Sequence, residues 1–325
     1  MDLATYRVVA RAFPYVRQVY LDAWGEPLLN PHFWEMAALA REHGCSVGAT
    51  TNGVLLDPHI AESLARNLDV VGISIDGATP QTYERIRVGA RFEKVVEGIR
   101  ALVAARKAHR PDGLPLISLL FLKTQENIYE LPAFVDLAGT LGVDEVIASN
   151  LSYVTRPAHE SLKVFSLGTP SPTYGEILEE ARRRANDWEL NIRLYPLSPK
   201  RVPFCEARPL EELHITWEGL VAPCVYLTLP VAGDSIFRVH EGACWQIPKT
   251  HFGDLRVLSL LEIWEQETYQ QFRQPFIDRL TVCRGVHFGP TGDGGFRELD
   301  APTFDAVTRY SLPDVCRGCY KALGL

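Results

Sequence analysis

The residues in this sequence with the clearest chemical potential are its cysteines. Six of the seven lie within the last 121 residues of the 325-residue chain. Cys316 and Cys319 are separated by two residues, a spacing that lets both thiolates reach one metal centre. Cys205 precedes a predicted hairpin and Cys224 ends it, so the fold can bring both against the pair. Such clustering indicates metal or redox chemistry more than a disulfide framework.

Several kinds of site suit this cysteine pattern. Four converging thiolates hold an iron–sulfur cluster, and the same ligands make a structural zinc site. A two-spacer pair alone also occurs in redox dithiols, which the pattern favours least. Spacing supports iron–sulfur and zinc about equally, and a site without metal stays open as well.

Small and polar residues follow three predicted strands in succession. They are Gly25-Glu26, Asn52-Gly53 and Ser74-Ile75-Asp76-Gly77. Glycine, asparagine and aspartate are also ordinary turn formers, so any one of these loops has a purely structural explanation. Parallel α/β folds place their binding sites at the carboxyl ends of strands, and three such loops in a row favour a site there.

Short apolar runs alternate with amphipathic stretches from residue 17 to residue 150, and Asn191 to Tyr195 suggests one more strand. Asn30-Pro31, Asp57-Pro58 and Thr79-Pro80 each place a capping side chain before a proline, which predicts helix starts. Repeated strand–helix–strand units predict an α/β fold with a parallel sheet or barrel and outer helices.

Prolines after residue 195 mark a boundary near residue 200, and the remainder has a different pattern. Residues 213–225 predict a hairpin, and Ser259 with Glu262 forms a capping-box signal for a helix. Residues 229–251 and 274–312 are predicted to be long loops.

Composition excludes several classes of protein. The chain carries 40 acidic and 33 basic residues, a net charge of −7, which is a poor match for nucleic acid or anionic membrane. The longest apolar stretch, residues 114–122, is far shorter than the roughly 20 residues that a membrane helix needs. We therefore expect a cytoplasmic protein that binds neither nucleic acid nor membrane.

Taken together, the motifs resemble those of the radical S-adenosylmethionine (SAM) enzymes that carry a C-terminal SPASM domain. The order and spacing of four segments carry the resemblance across nearly the whole chain. These segments are Trp24-Gly25-Glu26-Pro27-Leu28-Leu29; Thr50-Thr51-Asn52-Gly53; Ser74-Ile75-Asp76-Gly77 with Tyr83, Arg87 and Phe92; and Cys205, Gly219, Cys224, Ile263-Trp264, Cys316 and Cys319.

The resemblance implies a partial (β/α)6 barrel over residues 1–200 and a small cysteine-rich SPASM-type domain over 201–325. It places SAM at the carboxyl ends of the strands. Glu26 would meet the amino group of SAM, and Arg87 would pair with its carboxylate, which is sensible charge chemistry. The residues implied to line the cofactor are Gly25, Glu26, Thr51, Asn52, Ser74, Asp76 and Arg87.

In this family, a [4Fe–4S] cluster delivers one electron to SAM, and the resulting 5′-deoxyadenosyl radical abstracts a hydrogen atom from the substrate. The resemblance therefore implies an oxidoreductase-type enzyme with a reductant such as ferredoxin or flavodoxin. Many SPASM relatives modify peptides or proteins, which makes a peptide or protein the expected substrate. The alternative is a non-catalytic scaffold that carries an iron–sulfur cluster or zinc.

The sequence departs from the family at its start. The radical cluster is held by a Cys-x3-Cys-x2-Cys loop before the Gly-Glu-Pro segment, and residues 1–23 contain no cysteine. Residues 2–12 instead look like the helix that follows that loop. We expect a fragment or a misplaced start; a degenerate paralogue or a strand from another polypeptide are the alternatives. A missing first strand would leave residues 17–22 as an unpaired edge, which predicts poor solubility or self-association.

One further cluster is expected in the C-terminal part. Its ligands would be Cys205, Cys224, Cys316 and Cys319, holding a single auxiliary [4Fe–4S] cluster. The larger SPASM form has more cysteines after the two-spacer pair, and residues 320–325 contain none. Cys45, Cys244 and Cys283 are predicted to be packing residues, and the alternative is that Cys244 or Cys283 replaces one of the four chosen ligands.

Overall fold

The computed structural model describes residues 1–110, 112–284 and 298–325, which form two compact units. The sheet unit consists of Phe13–Asn150 and Pro170–Tyr195. The cysteine unit consists of Met1–Ala12, Leu151–Thr169 and Pro196–Leu325. The division of the chain into two domains at residue 200 stays a prediction. The compact units are not two consecutive halves, because the cysteine unit takes its residues from three segments of the chain and the sheet unit from two.

The sheet unit is built on six parallel strands that lie in the order of the chain, from β1 to β6. Among the described strands, β1 pairs only with β2 and so forms one edge of the sheet. The expected sixth strand is confirmed. The strands are β1 Gln18–Tyr20, β2 Ser46–Thr51, β3 Val70–Ser74, β4 Leu116–Lys123, β5 Glu145–Asn150 and β6 Asn191–Leu194.

Helices connect these strands, and their starts are largely where the capping signals predict. Asp57 and Thr79 each accept a hydrogen bond from the first turn of a helix that begins with proline. Asn30 instead accepts from the backbone of His32, and the helix begins two residues later than predicted. The helices are α2 Phe33–Glu42, α3 Pro58–Asn67, α4 Pro80–Ile86, α5 Phe92–His109, α6 Leu131–Leu141 and α7 Pro172–Asp187.

The two faces of the sheet differ in burial. Each strand follows its neighbour in the chain, and right-handed crossovers of this kind place all connecting helices on one face. On that face Val47, Leu119 and Val146 are fully buried. On the opposite face Ser74 and Leu120, which are paired in register, are half-buried. This half-open inner face, together with the strand ends, is where a ligand can enter the sheet unit.

The cysteine unit begins with helix α1, Leu3–Ala10, whose N-cap is Asp2 and which lies within the helix predicted over residues 2–12. The predicted hairpin around residue 219 is confirmed as antiparallel strands, to which a third strand adds. The remaining helices of this unit follow the capping-box signal at Ser259. Its elements are β7 His214–Ile215, β8 Leu220–Ala222, β9 Ser235–His240, β10 Ala243–Pro248, β11 Gly253–Asp254, α8 Leu260–Glu265, α9 Glu267–Val282 and α10 Ala301–Thr308.

The two predicted long loops are wrong over much of the part that the structure describes. Residues 229–251 contain the β9–β10 hairpin. Its strands have alternating apolar residues, but the glycines and prolines around them favour a loop prediction. The stretch 274–312 contains the end of α9, which continues through Pro275, and all of α10. Residues 285–297 of that stretch lie outside the described part of the chain.

None of the helices in the described ranges combines the length and the apolar character needed to span a bilayer.

Candidate functional site

Glu26 ties the loop after β1 to the end of β2. Its Oε1 accepts a hydrogen bond from Thr51 Oγ1 at 2.8 Å, and its Oε2 accepts from the Asn52 backbone N–H at 2.7 Å. The Leu28 N–H also donates to Oε1, at 3.2 Å. Thr51 is 3% exposed. The Glu26 carboxylate therefore holds two strand-end loops together through charge-assisted hydrogen bonds.

Gly25 gives this loop its shape. Its φ of +120° lies in a region that side chains rarely adopt, and no atom lies within 4 Å of where a Cβ would be. Glycine is therefore required here because of its backbone conformation, and not because a side chain would lack space. Asn52 closes a similar turn in the next loop, where its Oδ1 accepts the Val54 N–H at 2.9 Å.

Asp76 is the second centre of contacts at the strand ends. Arg87 donates through Nε to Asp76 Oδ2 at 2.7 Å, and the Leu122 N–H donates to Oδ1 at 2.8 Å. Asp76 is 3% exposed, and Arg87 is the C-cap of α4, directly after its last residue. This ion pair therefore joins the loop after β3, the strand β4 and the end of α4.

The seven predicted cofactor residues thus lie at or near the carboxyl ends of β1–β3, where hydrogen bonds join Glu26 to Thr51 and Asn52 and join Arg87 to Asp76. Gly25 directly precedes Glu26, and Ser74 ends β3, which pairs with β2. Glu26 and Arg87 already have protein partners, so their expected contacts with SAM stay predictions that any binding mode must reconcile with these bonds.

Two further polar residues near these strand ends were missed by the sequence analysis. Asn127 is 1% exposed and donates through Nδ2 to the backbone oxygens of Asp76 and Leu122, at 3.1 and 2.9 Å. Glu130 accepts from Thr79 Oγ1 at 2.8 Å and from Thr82 Oγ1 at 2.6 Å. Both follow β4 closely, so the rule that picked out the first three strand ends points to this fourth one as well.

Glu130 is held in its charged form. Burial opposes ionisation, but the hydrogen bonds from Thr82, Thr79 and two backbone N–H groups outweigh it and lower the pKa of Glu130. The carboxylate therefore fixes the first turn of α4 and the residues just before it, which follow Asp76 in the chain.

The four predicted cluster ligands all lie in the cysteine unit. Cys205 is buried, and Cys224 directly precedes a short 3₁₀ turn after β8. The Cys319 backbone N–H donates to the Cys316 carbonyl at 3.1 Å, which closes the two-spacer loop. Gly318, with φ of +68°, supplies the left-handed residue that this turn requires.

The four thiols lie within electrostatic range of one another. Burial raises the pKa of Cys205 to about 12, and the charge of Cys319 adds to that rise. Burial and then Cys319 likewise raise the pKa of Cys224 to about 12. The pKa of Cys316 is raised well above its usual value by burial, then by Cys319, Cys224 and Cys205. The structure therefore brings together cysteines that are about 100 residues apart in sequence.

This donor set fits an iron–sulfur cluster chemically. The ligands are four soft thiols in surroundings that disfavour bare thiolates, so a metal centre that binds the deprotonated sulfur is what would stabilise them. Across the described ranges, no three His, Cys, Asp or Glu side chains, the four cysteines included, are grouped closely enough to hold a single metal ion. A four-iron cluster does not require that spacing, because each thiolate binds a different iron.

The other three cysteines lie elsewhere. Cys45 is 4% exposed, with its Sγ 3.3 Å from the Val16 carbonyl oxygen, and Cys283 packs with Leu299 and Val307, which confirms both as packing residues. For Cys244 the expectation is wrong. Cys244 is exposed on β10. The expectation failed because the sequence analysis did not predict the hairpin that carries this residue.

Family comparisons agree with this geometry. Residues 6–128 match the family model of the radical SAM superfamily, and residues 205–320 match the SPASM model, described as an iron-sulfur cluster-binding domain. Over these two ranges the chain is similar to radical SAM enzymes that carry a SPASM domain. The predicted fold is confirmed, as are the enzyme class and its cofactors, SAM and iron–sulfur clusters.

Individual relatives extend these matches over most of the chain. The tungsten-containing aldehyde ferredoxin oxidoreductase cofactor-modifying protein of Pyrococcus furiosus is 29% identical over 269 residues, covering 81% of this chain and 71% of that protein. The mycofactocin maturase MftC of Mycobacterium tuberculosis is 34% identical over 119 residues, covering 36% of this chain and 29% of the maturase.

Solved structures show the same fold. The structure of native anSMEcpe with bound AdoMet and Cp18Cys peptide has a TM-score of 0.59 to this chain at 14% identity. The match covers 99% of this chain and 90% of that one. At this identity the similarity establishes the fold alone.

Proposed function

We propose that this chain belongs to an enzyme that modifies a peptide or protein by SAM-dependent radical chemistry. In this proposal SAM lies at the carboxyl edge of the sheet unit, and Cys205, Cys224, Cys316 and Cys319 hold one auxiliary [4Fe–4S] cluster. The observation that carries the proposal is that one compact unit holds all four cysteines, with Cys316 and Cys319 in one hydrogen-bonded turn.

The residues of the sheet unit would bind and orient the cofactor. Glu26 and Asp76 are carboxylates at the strand ends, and Glu26 offers its oxygens to an ammonium group. Thr51 and Asn52 fix the position of Glu26 through the hydrogen bonds at 2.8 and 2.7 Å. A separate radical-generating iron–sulfur cluster, not the auxiliary one, would supply the electron for cleavage of SAM when bound.

The cysteines for the cluster that cleaves SAM are not among residues 1–204 of this sequence, which contain Cys45 alone. Cys45 is buried and contacts the carbonyl oxygens of Phe13 and Val16, so it does not fit that role. We therefore assign the cleavage step to no residue of this chain.

The names of similar proteins support a peptide or protein substrate. One relative is a mycofactocin maturase, and anSMEcpe is seen with a bound peptide. The half-buried inner face of the sheet gives such a substrate a route to the strand ends. A cytoplasmic location and a reductant such as ferredoxin or flavodoxin belong to the same proposal.

Anaerobic reconstitution with iron and sulfide tests the metal site. The wild-type chain should bind about four iron and four sulfide ions. Changing Cys205, Cys224, Cys316 or Cys319 to serine should remove most of that iron. Cys244→Ser and Cys283→Ser serve as matched controls and should retain it. Tight binding of zinc with no sulfide would instead support the scaffold alternative.

Binding of SAM tests the second half of the proposal without requiring turnover. We expect Glu26→Gln to weaken SAM binding at least about tenfold in equilibrium dialysis, because a hydrogen bond to a charged group contributes about 1.5–3 kcal/mol and each 1.4 kcal/mol is a factor of ten. Glu97→Gln, a change on the exposed side of α5, is the control and should bind like wild type. Equal affinities for both variants would contradict the assignment of Glu26.

A further inference from the structure

A buried arginine lies beside the two-spacer cysteine loop. Arg238 is on β9 and is 2% exposed. Through Nη1 it donates to the carbonyl oxygens of Val315 and Arg317, both at 3.0 Å. These two residues flank Cys316, so the guanidinium is hydrogen-bonded to the backbone on either side of a proposed cluster ligand.

Arg238 has an unused donor in this position. Its Nε is buried and has no acceptor among the described residues. No carboxylate of the described ranges forms an ion pair with it either. Among the other buried cations of this unit, Lys321 pairs with Glu206 at 3.0 Å, whereas Arg273 and Arg279 donate to carbonyl oxygens, and Arg273 Nη1 also lacks an acceptor among the described residues. A buried cation without a neighbouring anion is costly, so the site as described lacks a negative group.

A cluster held by the four cysteines would supply such a negative group. Because Arg238 binds the backbone on both sides of Cys316, its guanidinium lies next to the segment that carries one proposed ligand.

Other buried arginines of the unit are engaged differently. Arg273 packs over the ring of Trp264 at 3.8 Å and donates to the Trp264 carbonyl. Arg279 donates through Nε to the carbonyl of Tyr310 at 3.1 Å. Of these three, Arg238 is the one that contacts the backbone around Cys316.

We propose that Arg238 is a positioning and charge-balancing residue of the four-cysteine site, which makes an iron–sulfur cluster held there easier to reduce. The inference rests on the proposed function. Reduction adds one electron, and hence one negative charge, to a buried cluster, and no proton is required. A fixed cation in a medium of low dielectric constant stabilises that added charge more than a solvated cation does.

The test uses the reconstituted full chain and titration with dithionite, which supplies the electron, followed by visible absorbance and electron paramagnetic resonance. Arg238→Gln should lower the ratio of reduced to oxidised cluster at least tenfold at a fixed potential, equal to about 59 mV for a one-electron couple. Arg238→Lys, which keeps the charge, should restore most of the ratio.

The matched control is Arg317→Gln. This residue lies inside the same two-spacer loop, but its side chain is 65% exposed and pairs with Asp314. Solvent and salt screen an exposed charge, so the control should change the ratio less than twofold.

The outcomes separate this inference from the proposed function. A wild-type chain without a cluster refutes the proposed function. A clustered Arg238→Gln variant with the wild-type potential refutes the role of Arg238 alone. If Arg238→Gln loses its iron, Arg238→Lys decides: recovery of both the iron and the wild-type potential supports the proposal. Loss of iron from both variants overturns it, because the residue would then be needed only to fold the loop.

Discussion

Asp22, in the loop after β1, carries a carboxyl group that burial makes costly to ionise. Burial raises its pKa above the usual value, although the Thr50 side chain and backbone N–H, the latter at 3.0 Å, partly oppose the rise. A raised pKa in the folded state means that this carboxyl contributes most to stability below its unfolded pKa of about 4. The contribution is lost as the pH rises through the folded pKa.

We therefore predict that Asp22→Asn stabilises the protein at neutral pH, because the amide still accepts the Thr50 N–H without a buried charge. Its melting temperature should exceed that of wild type by about 2–4 °C near pH 7 and by little near pH 4. Differential scanning calorimetry across this range measures the difference.

The control for this prediction is Asp112→Asn. Asp112 is exposed, and its hydrogen bond with Arg110 lowers its pKa, so the sign is opposite. This variant should gain nothing at neutral pH. A gain for Asp22→Asn that does not depend on pH would show that the ionisation of Asp22 is not the cause.

At the scale of elements, α5 packs closely against the loop that precedes α3, and Gly98 of α5 lies at this contact. A Cβ on Gly98 of α5 would lie 2.4 Å from the Leu56 carbonyl oxygen and 2.9 Å from the Leu56 Cβ. Because the first of these is a backbone atom, it cannot rotate away, and the helix itself must move.

We predict that Gly98→Ala lowers the free energy of unfolding by about 2–3 kcal/mol through this overpacking. Gly175→Ala in α7 is the matched control, since no atom lies within 4 Å of its Cβ position. The control should gain about 0.5–1 kcal/mol, because alanine loses less entropy in a helix than glycine does. Urea unfolding of both variants tests the pair, and a loss of stability in both would contradict the packing argument.

At the scale of the whole molecule, the chain contains two units of different construction. The sheet unit has a large apolar core under its helices, whereas the cysteine unit has short strands and small clusters such as Phe165, Tyr320 and Leu325. A cluster bound by Cys205, Cys224, Cys316 and Cys319 would close a loop of about 100 residues in this second unit. Metal binding of this kind contributes directly to folding.

Removal of iron should therefore destabilise the cysteine unit selectively. We expect calorimetry of the iron-free chain to show a transition that melts about 5–10 °C lower than in the reconstituted chain, with a second transition unchanged. Cys224→Ser should melt like the iron-free protein with or without iron and sulfide. Superimposable traces for the loaded and iron-free wild type would refute a structural contribution of the cluster.

The expected self-association through β1 also belongs to this scale. The edge position of β1 within the described sheet is confirmed, and Tyr20 on it is 47% exposed. Association through this edge stays a prediction, which light scattering tests.

The sequence alone was sufficient for the features that depend on neighbours along the chain. Hydrophobic periodicity identified the strands and helices of the sheet unit, and Asp57, Thr79 and Ser259 marked helix starts correctly because capping is a local interaction. Motif order and cysteine spacing identified the family. Local pattern failed at β9 and β10, where glycines and prolines around the hairpin were read as a loop.

Only the tertiary structure decided which distant groups meet. It paired Arg87 with Asp76, gave Glu26 three protein donors, and grouped residues 1–12 with the cysteine unit. It also placed Arg238 beside Cys316, 78 residues further along the chain. Such contacts depend on how strands and loops pack in three dimensions, and neither the periodicity of a segment nor the spacing of its residues contains that information.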